Sequence, residues 1–308
     1  MDIGNWDEIR TAYHVARLGT VSGAADALGV HHATVIRHVD ALEGRLGAKL
    51  FQRHARGYTP TEAGADLLQV GVATDDQFSQ LVNRIRGRGE TVTGEIVVTS
   101  LSAISGRMTP ALAEFAEAHE GVVIRFLTDE RVFRLEYGEA HVAIRAGAAP
   151  SEPDNVVQEL TRLAVGLYAH RSYIERHGMP EGESDLGRHR FVSHDDPVSR
   201  APFFRWLRGA VPDDRIVFRA TDDVVMRDAV RSGVGIGFMP AFLAEATPDI
   251  VPIIPPRIDW CSTIWLVTHV DLHRTPKVQA VTAHLKAAAQ TWNDDGCYGA
   301  GEAPIPRE

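Results

Sequence analysis

Residues 19–50, GTVSGAADALGVHHATVIRHVDALEGRLGAKL, decide how the N-terminal part of this chain folds. The small residues that follow Ser22 predict a slim first helix, which a second helix can approach closely. The hydroxyl of Ser22 can cap this first helix, and Gly29 breaks it. The pattern therefore predicts two helices joined by a turn.

The second helix has an apolar face and an outward face. Its apolar stripe recurs at steps of four, three and four and consists of Val35, Val39, Leu42 and Leu46. A rotation of about 100° per residue places Ala33, Arg37 and Asp40 on the opposite side. Thr34 and Ile36 flank them. A narrow N-terminal end with a guanidinium suits the major groove of DNA, although an ordinary amphipathic helical hairpin has the same spacing.

The residues around these helices resemble the N-terminal domain of the LysR-type transcriptional regulators. The family pattern of small residues, a recognition helix, LE...LG..LF.R and a closing TEAG is matched in order. The matching residues are Ala24-Ala25, Arg37, Leu42-Glu43, Leu46-Gly47, Leu50-Phe51, Arg53 and Thr61-Glu62-Ala63-Gly64. So many ordered matches are far more specific than a single motif. The resemblance implies an N-terminal all-α winged helix-turn-helix domain that binds double-stranded DNA.

The start of the recognition helix departs from the family pattern. His31-His32-Ala33 stands where the family usually has Ser-Gln-Pro or similar residues, and Ile36 stands where a serine is usual. Ile36 can contact a thymine methyl group, and His31 is a poorer helix cap than serine. The paired histidines also suggest a metal site, but the side chains of adjacent helical residues point about 100° apart. We therefore expect no metal site and no cofactor, and an operator different from those of other members.

The charge around these helices differs from that of the whole chain. The chain carries a formal net charge of -9, which argues against indiscriminate binding to nucleic acid. Between residues 30 and 60, five lysines and arginines stand against two carboxylates, with four histidines besides. A basic reading head, residues 1–60, on an acidic body suits a sequence-specific DNA binder.

The segment QRHARGYTP after Phe51 contains a glycine-bearing turn. It predicts a wing that brings basic side chains near phosphates, with a solvated surface hairpin as the alternative. The predicted DNA contacts of helices and wing are Ser22, His31, His32, Ala33, Thr34, Ile36, Arg37, Arg53, Arg56 and Tyr58.

A long helix is predicted over residues 61–86, beginning at Thr61. Its apolar residues are Leu67, Leu68, Val72, Phe78, Leu81, Val82 and Ile85, and such a face needs a partner. The resemblance implies that this linker helix pairs two subunits, so that a homodimer or homotetramer reads an interrupted near-palindrome. Gly87, Gly89 and Gly94 indicate a hinge, which gives a linker and dimerisation segment over residues 61–93.

Strands alternate with helices from Gly94 onward, which predicts a mostly parallel sheet covered on both faces. Residues 94–292 resemble the family's effector-binding domain, a C-terminal α/β two-lobed fold like that of periplasmic binding proteins. The resemblance implies one lobe over about 94–162 and 264–292, and a second over about 163–263. His141 departs from the usual aspartate, which predicts a lost surface contact. Residues 293–308 are predicted to form a disordered tail.

The carboxyl ends of the predicted strands indicate a cleft for a small polar or anionic effector. The candidate effector contacts are Ser100, Ser102, Thr128, Gly147, His194, Thr221 and Asp222. Ser100 and Asp222 can instead cap the helices that follow them. Phe203, Phe204 and Trp206 either line the pocket or fill the second lobe, and core filling is the favoured interpretation.

Several other classes of protein are disfavoured. No apolar run approaches the roughly twenty residues that span a bilayer, and the first residues do not resemble a signal peptide, so a cytoplasmic protein is expected. Cys261 and Cys297 lie far apart in sequence, which predicts inert thiols rather than a disulfide or a redox sensor. No catalytic motif is recognisable, and no catalytic residue is assigned.

The sequence therefore predicts a LysR-type regulator that senses a small metabolite and contacts RNA polymerase at promoters. A solute-binding protein of a transport system is the main alternative, because the second domain alone has that character. An enzyme is the less favoured of the two alternatives.

Overall fold

The fold was analysed in a computed structural model of the chain, in which residues 5–54, 57–85, 92–128, 133–199, 201–292 and Cys297 are described. The N-terminal part has the predicted order of helices and wing strands. Its elements are α1 (Trp6–Leu18), α2 (Val21–Leu28), α3 (His32–Leu46), β1 (Phe51–His54), β2 (Gly57–Pro60) and the long α4 (Glu62–Ile85). The strands β1 and β2 pair antiparallel, which forms the wing.

The helix-turn-helix is built on a small apolar core. Val35, Val39 and Leu42 of α3 are buried, and they pack with α1 and with Ala24 and Ala25 of α2. The prediction that Leu46 belongs to this stripe is wrong, since its side chain is 54% exposed. Leu46 is the last residue of α3, and the helix ends there because the chain turns away through a left-handed glycine.

The cap of α2 is one correction to the sequence prediction. Thr20, not Ser22, caps the helix, because its hydroxyl oxygen accepts from the Gly23 N–H at 3.0 Å. Thr20 has the extended backbone of a capping residue, whereas Ser22 already lies inside the helix and is exposed. The helix therefore begins two residues earlier than the sequence suggests.

Glu43 joins the recognition helix to the wing. Its carboxylate is buried and accepts from the Leu50 N–H at 3.0 Å and the Phe51 N–H at 3.3 Å. Lys49 Nζ lies 2.7 Å from the same group, and the Arg53 guanidinium lies 3.2 Å from it. Burial opposes the ionisation of Glu43, but these hydrogen bonds outweigh it and hold its pKa below the usual value. One side chain thus sets where β1 starts relative to α3.

The predicted linker helix is confirmed as α4. The Thr61 hydroxyl accepts from the Gly64 N–H at 3.2 Å, which caps its first turn. Of the predicted hinge, Gly94 begins the next strand with φ +91°, whereas Gly87 and Gly89 lie outside the described residues. None of the helices in the described part of the chain is long and apolar enough to cross a membrane.

The rest of the chain forms two α/β lobes. The first contains β3 (Gly94–Ser100), α5 (Ser105–Ala118), β4 (Val122–Thr128), β5 (Val142–Ala146) and β6 (Asn155–Leu163). The second contains β7 (Val165–His170), α6 (Arg171–His177), β8 (Phe191–His194), α7 (Pro202–Ala210), β9 (Ile216–Ala220), α8 (Asp223–Arg231), β10 (Gly237–Pro240), α9 (Ala241–Glu245) and β11 (Ile250–Ile254). The chain then returns to the first lobe with β12 (Ser262–His269), α10 (Val270–His273) and α11 (Pro276–Ala289).

The sheets are mixed, so the prediction of a mostly parallel sheet is wrong. The first lobe has the order β4-β3-β5-β12-β6, in which β3 is parallel to β4 and β5 while β12 is antiparallel to β5 and β6. The second lobe combines an antiparallel β10-β7-β11 sheet with the parallel pair β8-β9. The chain leaves the first lobe along β6 and returns along β12, so these two strands run in opposite directions.

The two cysteines are joined, contrary to the prediction of inert thiols. Cys261 precedes β12, Cys297 follows α11, and their Cα atoms lie 5.6 Å apart in a disulfide. The returning strand and helix bring together residues that are 36 positions apart. Cys297 also departs from the predicted tail, since it is fully buried. The other tail residues, 293–296 and 298–308, lie outside the described part of the chain.

His141 is buried rather than placed at a lost surface contact, which corrects a further expectation. Only 8% of its surface is exposed, and its Nδ1 accepts from the Val97 N–H at 2.8 Å. Burial, and then the positive charges of Lys277 and Arg17, lower the pKa of His141 to about 3. The imidazole is therefore neutral, and it satisfies a backbone donor between β3 and β5.

We expect the free energy of unfolding to fall as the pH drops below 6.5, the ordinary pKa of a histidine side chain. The unfolded chain then binds a proton that folded His141 does not, at a cost of about 1.4 kcal/mol per pH unit from this one group. The variant His141→Asn can still accept from Val97 but does not titrate. The free energy of unfolding, measured with urea between pH 7.5 and 4.5, should fall less steeply with decreasing pH for His141→Asn than for the unsubstituted protein. Parallel curves of this free energy against pH would contradict the assignment.

We also expect Glu43→Ala to open the junction between α3 and β1. Two buried N–H groups lose their acceptor, which costs about 1–3 kcal/mol of local stability. Hydrogen exchange of a peptide covering residues 47–54 measures the change. Glu43→Gln is the matched control, because it keeps an acceptor oxygen while losing the charge. Equal acceleration of exchange in the two variants would show that the ion pairs, and not the backbone bonds, hold the wing.

Candidate DNA interface and effector cleft

The N-terminal end of α3 forms an exposed, narrow surface. His31, His32 and Ala33 are exposed, Thr34 is half-buried, and Ile36 is exposed over 39% of its surface. His31 occupies the capping position with extended backbone, but its side chain makes no capping hydrogen bond to the described residues. The first N–H groups of α3 thus lack a side-chain cap on this face, and such groups attract anions.

Most of the basic side chains near this surface are engaged within the reading head. Arg45 pairs with Glu8, Lys49 pairs with Glu43, and Arg53 bridges Glu43 and Asp40. The predicted surplus of positive charge is therefore largely neutralised. The pairs of Lys49 and Arg53 orient the wing against α3, whereas the Arg45–Glu8 pair joins α3 to α1.

The predicted wing contacts have mixed outcomes. The Arg53 guanidinium lies 5.3 Å from the centre of the Tyr58 ring, and the Tyr58 N–H donates to the Gly19 carbonyl at 2.8 Å. Both residues thus have partners inside the reading head. Arg56 lies outside the described residues. Ser22 is exposed on α2, adjacent to the turn that leads into α3.

Arg37 differs from these cations. It is exposed on the outward face of α3, one helical turn beyond Ala33. Of the cations described between residues 30 and 60, it alone makes no ion pair with the described residues. Its guanidinium is therefore available for a guanine edge or a phosphate.

The linker helix exposes an apolar face. Its exposed apolar residues are Val70, Phe78, Leu81 and Val82. Trp6 of α1 lies edge-on to Phe78, with ring centres 6.4 Å apart, and is itself mostly exposed. A continuous apolar surface of this kind marks a protein interface.

A small cavity lies between the two lobes. Its volume is about 70 Å³, room for about two waters. Its polar side chains are Ser102, Asp223 and Arg227. The apolar remainder consists of Ala103, Leu163, Val165, Phe203, Phe204, Val224, Met226, Phe238, Met239, Pro240 and Leu243.

Of the predicted effector contacts, only Ser102 lines this cavity. Asp222 caps α8, since its carboxylate accepts from the N–H groups of Val224 at 2.6 Å and Val225 at 3.3 Å. The imidazole of His194 accepts from the Asp196 N–H at 2.9 Å. Helix capping thus accounts for Asp222, which is its alternative interpretation, whereas His194 bonds within a turn.

The other predicted contacts do not converge on the cavity either. Ser100 is buried at the end of β3, where its hydroxyl donates to the Leu101 carbonyl. Thr128, Gly147 and Thr221 are exposed at strand ends. These residues lie at strand ends as predicted, but their side chains do not line the cavity between the lobes.

Asp223 and Arg227 were missed by the sequence analysis. They are four residues apart on α8, so they share one helical face, and this spacing was the available signal. Phe203 and Phe204 both line the cavity and pack into the hydrophobic core, whereas Trp206 packs against the core of the second lobe. Core filling is thus confirmed, with a second role for the two phenylalanines.

Polar contacts connect the reading head and the linker helix to the first lobe. Arg17 of α1 lies 3.3 Å from Glu95 of β3, and the Gln69 amide lies 3.2 Å from the His269 imidazole. A groove of about 1110 Å³ runs between α1, α4 and the first lobe. No group of three or more histidine, cysteine or acidic side chains suited to a metal ion occurs among the described residues.

Comparisons with known proteins agree with this arrangement. Residues 6–65 match the family described as bacterial regulatory helix-turn-helix protein, lysR family, and residues 89–290 match the LysR substrate binding domain. The regulator IlvY of Escherichia coli K12 is 29% identical over 251 residues, covering 79% of this chain and 84% of that protein. The Mau operon transcriptional activator of Paracoccus denitrificans is 26% identical over 279 residues, covering 90% and 94%.

Solved structures share the fold. LysG from Corynebacterium glutamicum with bound effector Arg has a TM-score of 0.68 at 18% identity, covering 93% of this chain and 98% of that one. CbnR complexed with its target DNA has a TM-score of 0.57 at 22% identity, covering 92% and 99%. The relatives are transcriptional regulators, which confirms that interpretation over an enzyme or a solute-binding protein. The chain therefore belongs to the LysR family of DNA-binding transcriptional regulators, with a helix-turn-helix domain followed by an effector-binding domain.

Proposed function

We propose that α3 reads a specific DNA sequence through its exposed N-terminal turns. The observation that carries the proposal is the unpaired Arg37 beside a narrow surface of His31, His32, Ala33 and Thr34, on a helix whose other side is buried. Ile36 adds an apolar contact suited to a thymine methyl group. Ser22 lies nearby and can reach a phosphate. Arg53 and Tyr58 position the wing, and Arg56 contributes a phosphate contact.

The proposed division of the chain follows the sequence analysis. Residues 1–60 read DNA, residues 61–93 link and dimerise, residues 94–292 bind the effector, and residues 293–308 follow as a C-terminal segment. Since DNA lies in the bacterial cytoplasm, the protein acts there, near promoters and in contact with RNA polymerase.

The apolar face of α4 pairs two copies of the chain. Burying Val70, Phe78, Leu81 and Val82 against the same residues of a second copy removes an exposed apolar surface from water. A two-fold axis then places two α3 helices on one side of the DNA, so the operator is an interrupted palindrome. A dimer of dimers extends the contact along the DNA.

The cavity between the lobes is the proposed effector site. Its lining favours a small molecule with an apolar body and a polar group, because Arg227 supplies a cation, Asp223 a carboxylate and Ser102 a hydroxyl. A cavity of about 70 Å³ holds about two water molecules at about 30 Å³ each, so it is too small for a metabolite. The lobes therefore separate to admit one. Ser100, Thr128, Gly147, His194, Thr221 and Asp222 then line the rim of the opened cleft.

An effector regulates only if it binds one arrangement of the lobes better than another. The contacts Arg17–Glu95 and Gln69–His269 connect the first lobe to the reading head and the linker helix. A change in lobe angle therefore alters the position of the reading heads, and with it the bend of the bound DNA.

Selection of bound fragments from the source genome tests the proposal. Purified protein should enrich a few promoter fragments that share an interrupted palindrome, with affinity that survives moderate salt. Binding that salt abolishes equally for every fragment would contradict sequence-specific reading.

Arg37→Gln should weaken binding to the selected fragment. Loss of one base or phosphate contact costs about 1–3 kcal/mol, which is roughly tenfold to a hundredfold in Kd. Arg10→Gln is the matched control, since it removes the same charge from an exposed position on α1, behind the reading helix. Electrophoretic mobility shift at fixed salt measures both, and equal losses would mean that only total charge matters.

Phe78→Asp should convert the dimer to a monomer. A buried, unpaired carboxylate in an apolar interface costs several kcal/mol, so light scattering should report half the mass. Affinity for the palindrome should fall with it, because the second half-site is no longer linked. Val198→Asp is the control, as Val198 is 78% exposed in a loop of the second lobe. An unchanged mass for Phe78→Asp would exclude this face as the interface.

A further inference from the structure

The Cys261–Cys297 disulfide lies at the joint between the two lobes. Trp260 is buried in the core of the second lobe, with its ring centre 5.0 Å from Trp206 and 5.2 Å from Phe238. Ser262 begins β12 of the first lobe. Cys261 stands between them, so it is the last residue of the segment along which the chain crosses from the second lobe to the first.

The other crossing segment runs beside it. The chain passes from β6 to β7 through Ala164, and in the sheet Ser262 pairs with Leu163 while Thr263 pairs with Arg162. The Arg162 guanidinium donates to the carbonyl of Cys297 at 3.3 Å. Cys297 is therefore attached to one crossing segment by a covalent bond, and by a hydrogen bond to the end of β6, one residue before the other segment. It is fully buried there.

A third contact connects the C-terminal end of α11 with the second lobe. Arg107 of α5 lies 4.4 Å from the ring centre of Phe242 in α9 and 5.5 Å from that of Trp292. Trp292 lies within the covalent ring that the disulfide closes. The covalent loop from Cys261 to Cys297 thus contains β12, α11 and Trp292, whose aromatic ring lies against Arg107 at the contact between the lobes.

We propose that this disulfide is a thiol-sensitive lock on the movement of the two lobes. Rotation of one lobe against the other must turn about residues 163–165 and 255–262, and the disulfide together with the Arg162 hydrogen bond joins these segments to Cys297. Reduction removes the covalent attachment and leaves the hydrogen bond alone. The lobes then open more readily, and access to the cavity between them increases.

The chemistry requires a dithiol reductant. Its thiolate attacks Sγ of Cys261, the less buried of the two sulfurs, and forms a mixed disulfide while Cys297 leaves as a thiolate and takes up a proton. The second thiol of the reductant then displaces Cys261. Two electrons pass to the protein, both cysteines become thiols, and the reductant becomes a disulfide. The bacterial cytoplasm, in which the proposed function places this protein, is kept reducing. The presence of a reductant therefore rests on the proposed function.

The test uses the full-length protein, purified without reductant and equilibrated in mixtures of reduced and oxidised dithiothreitol. Iodoacetamide trapping and mass spectrometry measure the fraction of Cys261 and Cys297 in the thiol form, and circular dichroism reports the fold. Hydrogen exchange is followed in peptides covering residues 160–167, 241–246 and 255–264.

We expect the bond to open and re-form reversibly with the circular dichroism unchanged. Exchange in the three peptides should accelerate about threefold or more on reduction, while α1, α2 and α3 stay unchanged, because only the joint between the lobes is released. The double variant Cys261→Ser/Cys297→Ser is the matched control. It should exchange like the reduced protein in every buffer and should not respond to dithiothreitol.

Three results would overturn the proposal. The first is alkylation of both cysteines before any reductant is added. The second is a bond that opens only when the fold is lost. The third is unchanged exchange at residues 160–167 and 255–264 after complete reduction. None of these readouts depends on DNA, so failure here is distinguishable from failure of the DNA selection.

Discussion

The buried carboxylate of Glu43 is the interaction on which the DNA-binding surface depends. A helix can present a reading face only if its position relative to the wing is defined. Glu43 provides this by accepting from the backbone of Leu50 and Phe51 while attracting Lys49 and Arg53. A charge this deeply buried is tolerated only because it is fully hydrogen-bonded. The consequence is that nearby cations are used internally, and Arg37 is left to face outward.

In the effector-binding domain, only a few chain segments and contacts connect the two lobes. The two lobes have separate hydrophobic cores and are joined by two adjacent crossing segments, at residues 163–165 and 255–262. Hinges of few residues concentrate motion, so contacts placed on them have a large effect on lobe angle. Cys297, Arg162 and the Arg107 stack all lie at or beside this joint. The first lobe also touches the reading head through Arg17 and Glu95, which places the joint between the ligand cavity and the DNA-binding part.

The proposed effector site depends on residues that the sequence analysis did not locate. A polar cleft lined by serine, threonine and histidine was predicted, whereas the cavity is mostly apolar with Asp223 and Arg227 as its charged side chains. The predicted polar side chains are largely consumed by helix capping and turn formation, as for Asp222 and His194. Capping is strongly local, since it satisfies N–H groups two or three residues away. The polar residues Asp222 and His194, which follow strands, are therefore used to begin a helix and to form a turn.

Local sequence determined much of this protein: the order of helices in the reading head, the buried stripe Val35, Val39 and Leu42, the wing, the linker helix and the two α/β lobes. These features depend on periodicity and turn residues within short windows, and the ordered LysR pattern around them fixed the family. Tertiary structure alone decided the mixed sheets, the pairing of Cys261 with Cys297, the burial of His141 and the engagement of Arg53. Each depends on which distant segment the chain brings alongside, such as β12 returning beside β6. That choice is made by packing between segments that are distant in sequence and not by any local pattern.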